Sequence, residues 1–234
     1  MWGRAYLNRF LRFLTRHLIA FDCHGIERIP RKGRLIVYIN HINFLDPVLA
    51  CALVPRDVVP LSKEENLHHP LIGPLARAYG VIPIRRGEAD LNAFRSALAV
   101  LEADRALLVA PEGTRSGHGR LQQAKDGLTR MALRTNSPLI PIGLVGQETF
   151  KSRLSKLRRT RVSVWVGRPF RFIVPDGLRV RREEMREMTS EAMGELALLL
   201  PPEHRGFYAG RELAPRRYIT FDGLPYESLA AAVG

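Results

Sequence analysis

Short apolar runs bounded by Gly, Pro and charged residues alternate along the chain with stretches in which apolar residues recur every three or four positions. The runs have the length of buried β-strands, and the other stretches have the period of amphipathic helices. Strand-like runs occupy residues 20–24, 35–39, 58–61, 80–87, 106–110, 138–145 and 162–166, and helical patterns occupy residues 48–54, 90–103, 125–134 and 181–200. This alternation predicts an α/β fold, a single domain with a central, mostly buried mixed sheet flanked by helices. The prolines at 138 and 141 suit the beginning of a strand or an edge strand.

Residues 2–18 are predicted to form an amphipathic helix ahead of this domain. Its arginines leave no signal-peptide core and no apolar stretch long enough to span a bilayer. Such a helix either packs its apolar face on the core or lies in a bilayer interface with its arginines toward anionic headgroups. Aromatic rings favour the interface, so we expect membrane contact from the aromatic residues at positions 2, 6, 10 and 13. The predicted organisation is a membrane-contact helix at 1–19, the α/β domain at 20–200 and an irregular C-terminal tail at 201–234.

The composition indicates a globular chain with an anionic partner. It has 234 residues, 46% of them apolar, and 36 Lys and Arg against 23 Asp and Glu give a formal net charge of +13. Nucleic acid is not expected as the partner, because no recognition helix and no aromatic strand interleaved with basic residues is visible. Lys151–Arg161 is a basic stretch, read either as an exposed loop or as a contact to anionic headgroups. Cys23 and Cys51 have no metal-type spacing, which favours a reduced, intracellular location.

The candidate chemistry begins with His41 and Asp46, which follow the strand-like run 35–39. At this spacing the carboxylate can hold one imidazole nitrogen and leave the other as a base. The alternative is a structural loop histidine bonded to backbone. His17 and Asp22 have the same spacing, but nothing around them suggests a reacting centre, so spacing alone decides little.

Two further stretches suit anion binding. Residues 80–87 are expected to deliver Arg85 and Arg86 at the end of a strand, although a solvated strand end fits equally well. After the run 106–110, the stretch 111–120 carries Glu112, Gly113 and Arg115, where glycine lets backbone amides approach a phosphate and arginine neutralises it. The spacing excludes a Walker loop.

Taken together and in this order, these blocks resemble the lysophosphatidic acid acyltransferase family (1-acylglycerol-3-phosphate O-acyltransferases). The resemblance covers about residues 20–145. The matching motif residues are Asn40, His41 and Asp46; Gly80, Ile84 and Arg86; Pro111 to Ser116; Lys125 and Gly127; and Pro138, Pro141 and Ile142. Pro83 and Ala110 replace larger residues that the family usually has, so acyl-chain or acceptor preference is expected to differ from the typical member.

The resemblance implies direct transfer of a fatty acyl group from a thioester, acyl-CoA or acyl carrier protein, to the free hydroxyl of 1-acylglycerol-3-phosphate. His41 is expected to act as general base and Asp46 to fix its tautomer. Arg86 and Arg115 are expected to bind the acceptor phosphate, and Glu112 to organise those cations or the acceptor hydroxyls. Gly113 and Thr114 belong to the same substrate-binding loop, whose amides assist either the phosphate or the developing oxyanion.

No metal or prosthetic group is expected, because the thioester is already activated. The expected partners are a phosphorylated lipid acceptor, the thioester donor and an anionic membrane surface, with the protein peripheral on the cytoplasmic side. Glycerol-3-phosphate, a lysophospholipid or an amino-lipid remain alternative acceptors, since these motifs are shared among relatives.

Overall fold

The architecture was obtained as a computed structural model that describes residues 2–70, 72–85, 90–174 and 180–221. A seven-stranded sheet lies between two layers of helices. Its strands are β1 (Ile19–His24), β2 (Leu35–Ile39), β3 (Val58–Lys63), β4 (Ile82–Ile84), β5 (Ala106–Val109), β6 (Leu139–Val145) and β7 (Thr160–Val166). The helices are α1 (Trp2–Leu18), α2 (Asp46–Leu53), α3 (Glu64–His68), α4 (Ile72–Tyr79), α5 (Leu91–Glu102), α6 (Gly127–Thr135), α7 (Phe150–Leu154) and α8 (Arg182–Leu198).

The sheet has the strand order β1-β7-β6-β2-β5-β3-β4. β2 is parallel to its neighbours β5 and β6, and β3 is parallel to β5 and β4. β7 runs antiparallel to β6 and parallel to β1, so two strands at one side run against the rest. The predicted α/β domain with a mixed, buried sheet is therefore confirmed.

Strand β2 shows how the sheet divides the core. All five of its side chains are buried. Ile36 and Tyr38 pack with α5, α6 and α8, whereas Leu35, Val37 and Ile39 pack with α1, α2 and the start of α7. Successive side chains of a strand point to opposite faces, so a strand covered on both faces is apolar throughout.

β6 is an interior strand, so of the two alternatives for Pro138 and Pro141 the edge strand is wrong. Pro138 directly precedes β6, and Pro141 is its third residue, near the beginning of the strand. β6 is flanked by β2 and β7. The carbonyl oxygen of Pro141 accepts from the N–H of Gly167, directly after β7 ends. The N–H and C=O of one strand residue point to the same side, so the missing N–H of Pro141 also faces Gly167, just past the end of β7.

Helix α1 packs on the domain through the side that carries Leu11 and Thr15. Leu11 and Thr15 are buried, and the Arg12 guanidinium donates to the carbonyl oxygen of Val54 at 2.9 Å. The side chains of Tyr6, Phe10 and Phe13 are 64%, 57% and 61% exposed. Among the described residues, no helix has both the length and the apolar character that a membrane span needs.

The described part of the C-terminal tail packs against the domain. Its short strand β9 (Ile219–Thr220) pairs antiparallel with β8 (Arg171–Phe172). Glu191 of α8 accepts from the backbone N–H groups of Arg217 and Tyr218 at 2.8 and 2.9 Å. Residues up to 221 thus contribute to the folded unit.

Candidate active site

The site lies where the parallel strands β2, β5 and β6 end, the edge of an α/β sheet at which loops of different strands converge. Asn40 comes directly after β2 and is almost fully buried. Its side-chain amide donates to the carbonyl oxygen of Leu144 and accepts from the N–H of Leu144, both at 2.8 Å. These two hydrogen bonds join the end of β2 to β6 and fix the position of the next residue, His41.

His41 and Asp46 form the predicted pair. Nδ1 of His41 lies 3.1 Å from Oδ2 of Asp46, which is fully buried at the first residue of α2. A carboxylate only accepts, so Nδ1 carries the proton and Nε2 is the nitrogen able to take another. The same carboxylate oxygen accepts from the N–H groups of Ile42 and Asn43 at 2.6 and 2.7 Å. Asp46 therefore orients the ring and shapes the loop that carries it.

The second pair with this spacing does not form. His17 Nδ1 lies 2.8 Å from the carbonyl oxygen of Phe13, within α1. Asp22 instead contacts His24, at 3.1 Å, on the exposed end of β1. A helix carries His17 and a strand carries Asp22, so the backbone between them does not fold back as the loop from His41 to Asp46 does.

Glu112 joins the loop after β5 to the loop after β2. Its Oε1 accepts from the backbone N–H of His41 at 2.9 Å, and its Oε2 from the N–H of Gln122 at 2.8 Å. Burial and, to a smaller extent, the charge of Asp46 raise the pKa of this carboxyl to about 7, against the opposing effect of the two N–H donors. Both oxygens bond to backbone, so Glu112 holds two loops together.

The loop 111–125 is tied to His41 a second time, since the N–H of Ser116 donates to the carbonyl oxygen of His41 at 2.7 Å. Gly113 has a φ of +68°, and its N–H donates to Ala110 within the loop. A Cβ at Gly113 would meet the Lys125 side chain at 3.3 Å, so glycine permits this close approach. Thr114 and Arg115 are exposed on the same loop.

Arg86 lies outside the described residues. Its neighbour Arg85 follows β4 and is exposed, with its guanidinium 2.8 Å from a carboxylate oxygen of Glu64. The structure thus brings together His41, Asp46, Glu112, Gly113, Thr114 and Arg115 of the predicted set. Among the described residues, no group of three or more His, Cys, Asp or Glu side chains is placed to hold a metal ion.

Two residues that shape the site could not be identified from the sequence. Gln122 and Leu144 act through their backbones, which no side-chain motif reports. An open hollow of about 560 Å³ lies elsewhere, at the amino ends of the strands, where Arg34 and Asp104 form an ion pair at 3.1 Å. It is at the opposite edge of the sheet from His41.

The fold and the pair define an α/β protein with a histidine–carboxylate site at the carboxyl edge of its sheet. The family model described as Acyltransferase matches residues 20–145, more than half of the 234 residues. The chain belongs to this acyltransferase family.

Several curated relatives are named 1-acyl-sn-glycerol-3-phosphate acyltransferase. The protein of Limnanthes alba is 35% identical over 131 residues, 55% of this chain and 46% of the relative. That of Borreliella burgdorferi is 30% identical over 128 residues, 54% of this chain and 51% of the relative. The chain spans about half the length of these relatives. The alpha form from Ovis aries is 27% identical over 207 residues, 83% of this chain and 72% of the relative.

A solved structure supports the fold. The 1-acyl-sn-glycerophosphate acyltransferase PlsC from Thermotoga maritima superposes with a TM-score of 0.61 at 24% identity, covering 81% of this chain and 77% of that one. At this level of identity the likeness concerns the architecture.

Proposed function

We propose that the protein transfers a fatty acyl group from a thioester donor to the free hydroxyl of 1-acylglycerol-3-phosphate, giving phosphatidic acid and a free thiol. The observation that carries the proposal is the 3.1 Å contact between His41 Nδ1 and the buried Asp46 carboxylate, beside the loop of Gly113 and Arg115. The acceptor follows from the names of the relatives that share this segment.

The proposed reaction is a direct acyl transfer. The acceptor hydroxyl oxygen attacks the thioester carbonyl carbon while its proton moves to Nε2 of His41. The ionised Asp46 stabilises the imidazolium that forms. The C–S bond then breaks, and the leaving thiolate takes the proton back from His41. The thioester is activated already, so the proposal requires no metal or prosthetic group.

Arg115 is proposed to bind the acceptor phosphate, together with Arg86. The guanidinium of Arg115 is exposed on a loop whose root is bonded to both the N–H and the carbonyl oxygen of His41, through Glu112 and Ser116. A phosphate held there would place the acceptor within reach of Nε2. Glu112 is proposed to hold the Arg115 loop next to His41, through its hydrogen bonds to the backbone N–H groups of His41 and Gln122.

The protein is further proposed to lie on an anionic membrane surface, peripherally and on the cytoplasmic side, where its lipid acceptor is. The exposed aromatic side of α1 and the exposed Leu154 and Leu157 support this, since such side chains favour an interface. Arg159 donates to the carbonyl oxygens of Arg16 and Ile19 at 2.6 and 2.7 Å and so joins the basic stretch 151–161 to the end of α1.

The active site is proposed to open on this same side. Phe44 lies between His41 and Asp46 in the sequence, is 41% exposed and packs edge-to-face on Phe150, at the start of α7. The Lys151 ammonium is 6.0 Å from the Phe44 ring. A lipid acceptor could therefore reach His41 without leaving the surface to which α1 and the basic stretch bind.

The test offers purified protein an acyl-CoA with 1-acylglycerol-3-phosphate on anionic vesicles and follows thiol release. Release that requires both the acceptor and His41 supports the proposal. The same assay with acyl carrier protein identifies the donor, and glycerol-3-phosphate, lysophospholipids and amino-lipids replace the acceptor in turn. Activity with one of these alone would reassign the acceptor, and inactivity across the panel would contradict the proposed reaction.

A further inference from the structure

The C-terminal segment 201–208 contacts the loop 111–125 directly. It consists of two short 3-10 turns, Pro202–His204 and Gly206–Tyr208, beyond the end of α8. Tyr208 is almost fully buried, and so is Leu121 of the loop against which the segment packs. The segment lies about 80 positions from this loop in the sequence, and no motif links the two.

Four hydrogen bonds join the segment to the loop. The N–H of Leu121 donates to the carbonyl oxygen of His204 at 2.9 Å. The N–H of Phe207 donates to the carbonyl oxygen of Leu121 at 3.0 Å. Nδ1 of His204 lies 2.7 Å from the carbonyl oxygen of Gly119, which only accepts, so Nδ1 is the donor. The N–H of Ala124 donates to Oη of Tyr208 at 2.9 Å.

These bonds bracket Gln122, the residue whose N–H donates to Glu112. Within the described chain, residues 110–125 contain no helix or strand, so the shape of this loop depends on a few bonds within the loop and on its bonds to the surroundings. Two sets of bonds reach the surroundings. On one side these are the bonds to His41, and on the other they are the four bonds to the segment 201–208.

The segment itself is firmly held. Arg205 donates to the carbonyl oxygen of Leu200 at 3.0 Å and contacts the buried Glu212 at 2.7 Å. Gly206 has a φ of +49°, and a Cβ at this position would overlap the carbonyl oxygen of Leu121. The chain therefore comes closest to the loop at a residue where only glycine fits.

We propose that the segment 201–208 is a positioning element that sets acceptor affinity by holding the loop of Gly113 and Arg115 in its binding shape. His204 and Tyr208 are its positioning residues. The proposal rests on the proposed function in one respect, that this loop binds the acceptor phosphate. It assigns a role to a part of the chain for which the sequence indicated no chemistry.

The test removes one loop bond at a time. Tyr208→Phe removes the acceptor for the Ala124 N–H and keeps the ring, while His204→Leu removes the donor to Gly119. His204→Asn retains a donor close to the position of Nδ1. Tyr218→Phe is the matched control, because it removes a hydroxyl from the same tail that contacts Glu187 and not the loop.

Tyr208→Phe and His204→Leu are expected to raise the KM for the acceptor about five- to tenfold, the factor that the loss of one hydrogen bond of ordinary strength corresponds to. The KM for the thioester and the kcat should stay within about twofold in both variants, and His204→Asn should restore the acceptor KM. An unchanged acceptor KM would overturn the proposal. So would a change by the same factor in the acceptor KM, the thioester KM and the kcat, together with a lower melting temperature.

Amide hydrogen exchange gives an answer that does not depend on turnover. Amides of residues 119–124 should exchange faster in Tyr208→Phe than in Tyr218→Phe, because the loop opens more often once a bond is lost. Equal exchange in the two variants would contradict the positioning role. If the wild-type chain shows no acyl transfer, the proposed function fails, and exchange together with titration of glycerol-3-phosphate against both variants still decides whether the segment acts on the loop.

Discussion

The backbone N–H of His41 donates to Oε1 of Glu112 at 2.9 Å. This hydrogen bond joins the loop after β2, which carries His41, to the loop after β5, which carries Glu112. The other oxygen of Glu112 binds the N–H of Gln122, further along the same loop. The carboxyl is thus a buried link between the proposed base and the proposed phosphate-binding loop. Its ionisation should be visible in the stability of the fold.

Glu112→Gln tests this through pH. The pKa of Glu112 is raised from 4.5 to about 7 by burial, so between these values the folded chain binds a proton that the unfolded chain has lost. The free energy of unfolding contributed by this group is therefore fully present below pH 4.5 and falls as pH rises, by up to about 1.4 kcal/mol per pH unit. The unfolding free energies of wild type and Glu112→Gln are measured in urea at pH 5, 6, 7 and 8. As pH rises, the wild type should lose stability relative to the variant.

The control is Leu91→Ala, which changes an exposed side chain that has no ionisable group, so its difference in unfolding free energy from wild type should be flat with pH. A flat difference for Glu112→Gln would show that this carboxyl does not take up a proton in that range.

His41→Ala and Asp46→Asn are expected to lose acyl transfer by about 10²–10⁴-fold in kcat, the usual effect of removing general-base catalysis. His41→Ala should keep the circular dichroism spectrum of the wild type, since the main-chain bonds of residue 41 remain. Asp22→Asn is the matched control, because Asp22 has the same spacing from a histidine but contacts His24. Thiol release that survives in His41→Ala would exclude His41 as the base.

Arg115→Ala should raise the KM for the acceptor about 10- to 100-fold, because a hydrogen bond to a charged group is stronger than a neutral one. Arg115→Lys should recover part of the affinity, since it keeps the charge and loses the bidentate geometry. Arg31→Ala, which removes an exposed arginine ahead of β2, should leave the KM unchanged. Equal acceptor KM values for Arg115→Ala and Arg31→Ala would argue against phosphate binding by Arg115.

Phe10→Asp with Phe13→Asp should weaken binding to phosphatidylglycerol vesicles at least about tenfold, since a charged residue at these positions opposes interfacial burial. Leu91→Asp changes a similarly exposed side chain on α5, which packs on the other face of the sheet, and should bind as wild type does. Sedimentation at low and high salt separates the two contributions, because salt weakens the attraction of the basic stretch 151–161 and leaves apolar insertion. Unimpaired sedimentation of the double variant would contradict membrane contact by α1.

Much of the fold follows from the sequence. Apolar runs report burial, so the runs at 35–39 and 106–110 became the interior strands β2 and β5 almost residue for residue. The helices at 2–18 and 91–102 were likewise predicted, because amphipathic periodicity is a local signal. The motif of His41 and Asp46 was readable for the same reason, since only four residues of loop separate them.

Strand order and long-range partners were decided only by the tertiary structure. The position of Pro141 inside the sheet, the bond of Asn40 to Leu144 and the bond of Glu112 to His41 depend on which strands lie side by side. The packing of residues 201–208 on the loop 111–125 joins parts of the chain that carry no common pattern. Periodicity and spacing encode what a residue does within its own element, whereas partners separated by many positions are fixed by packing of the whole chain.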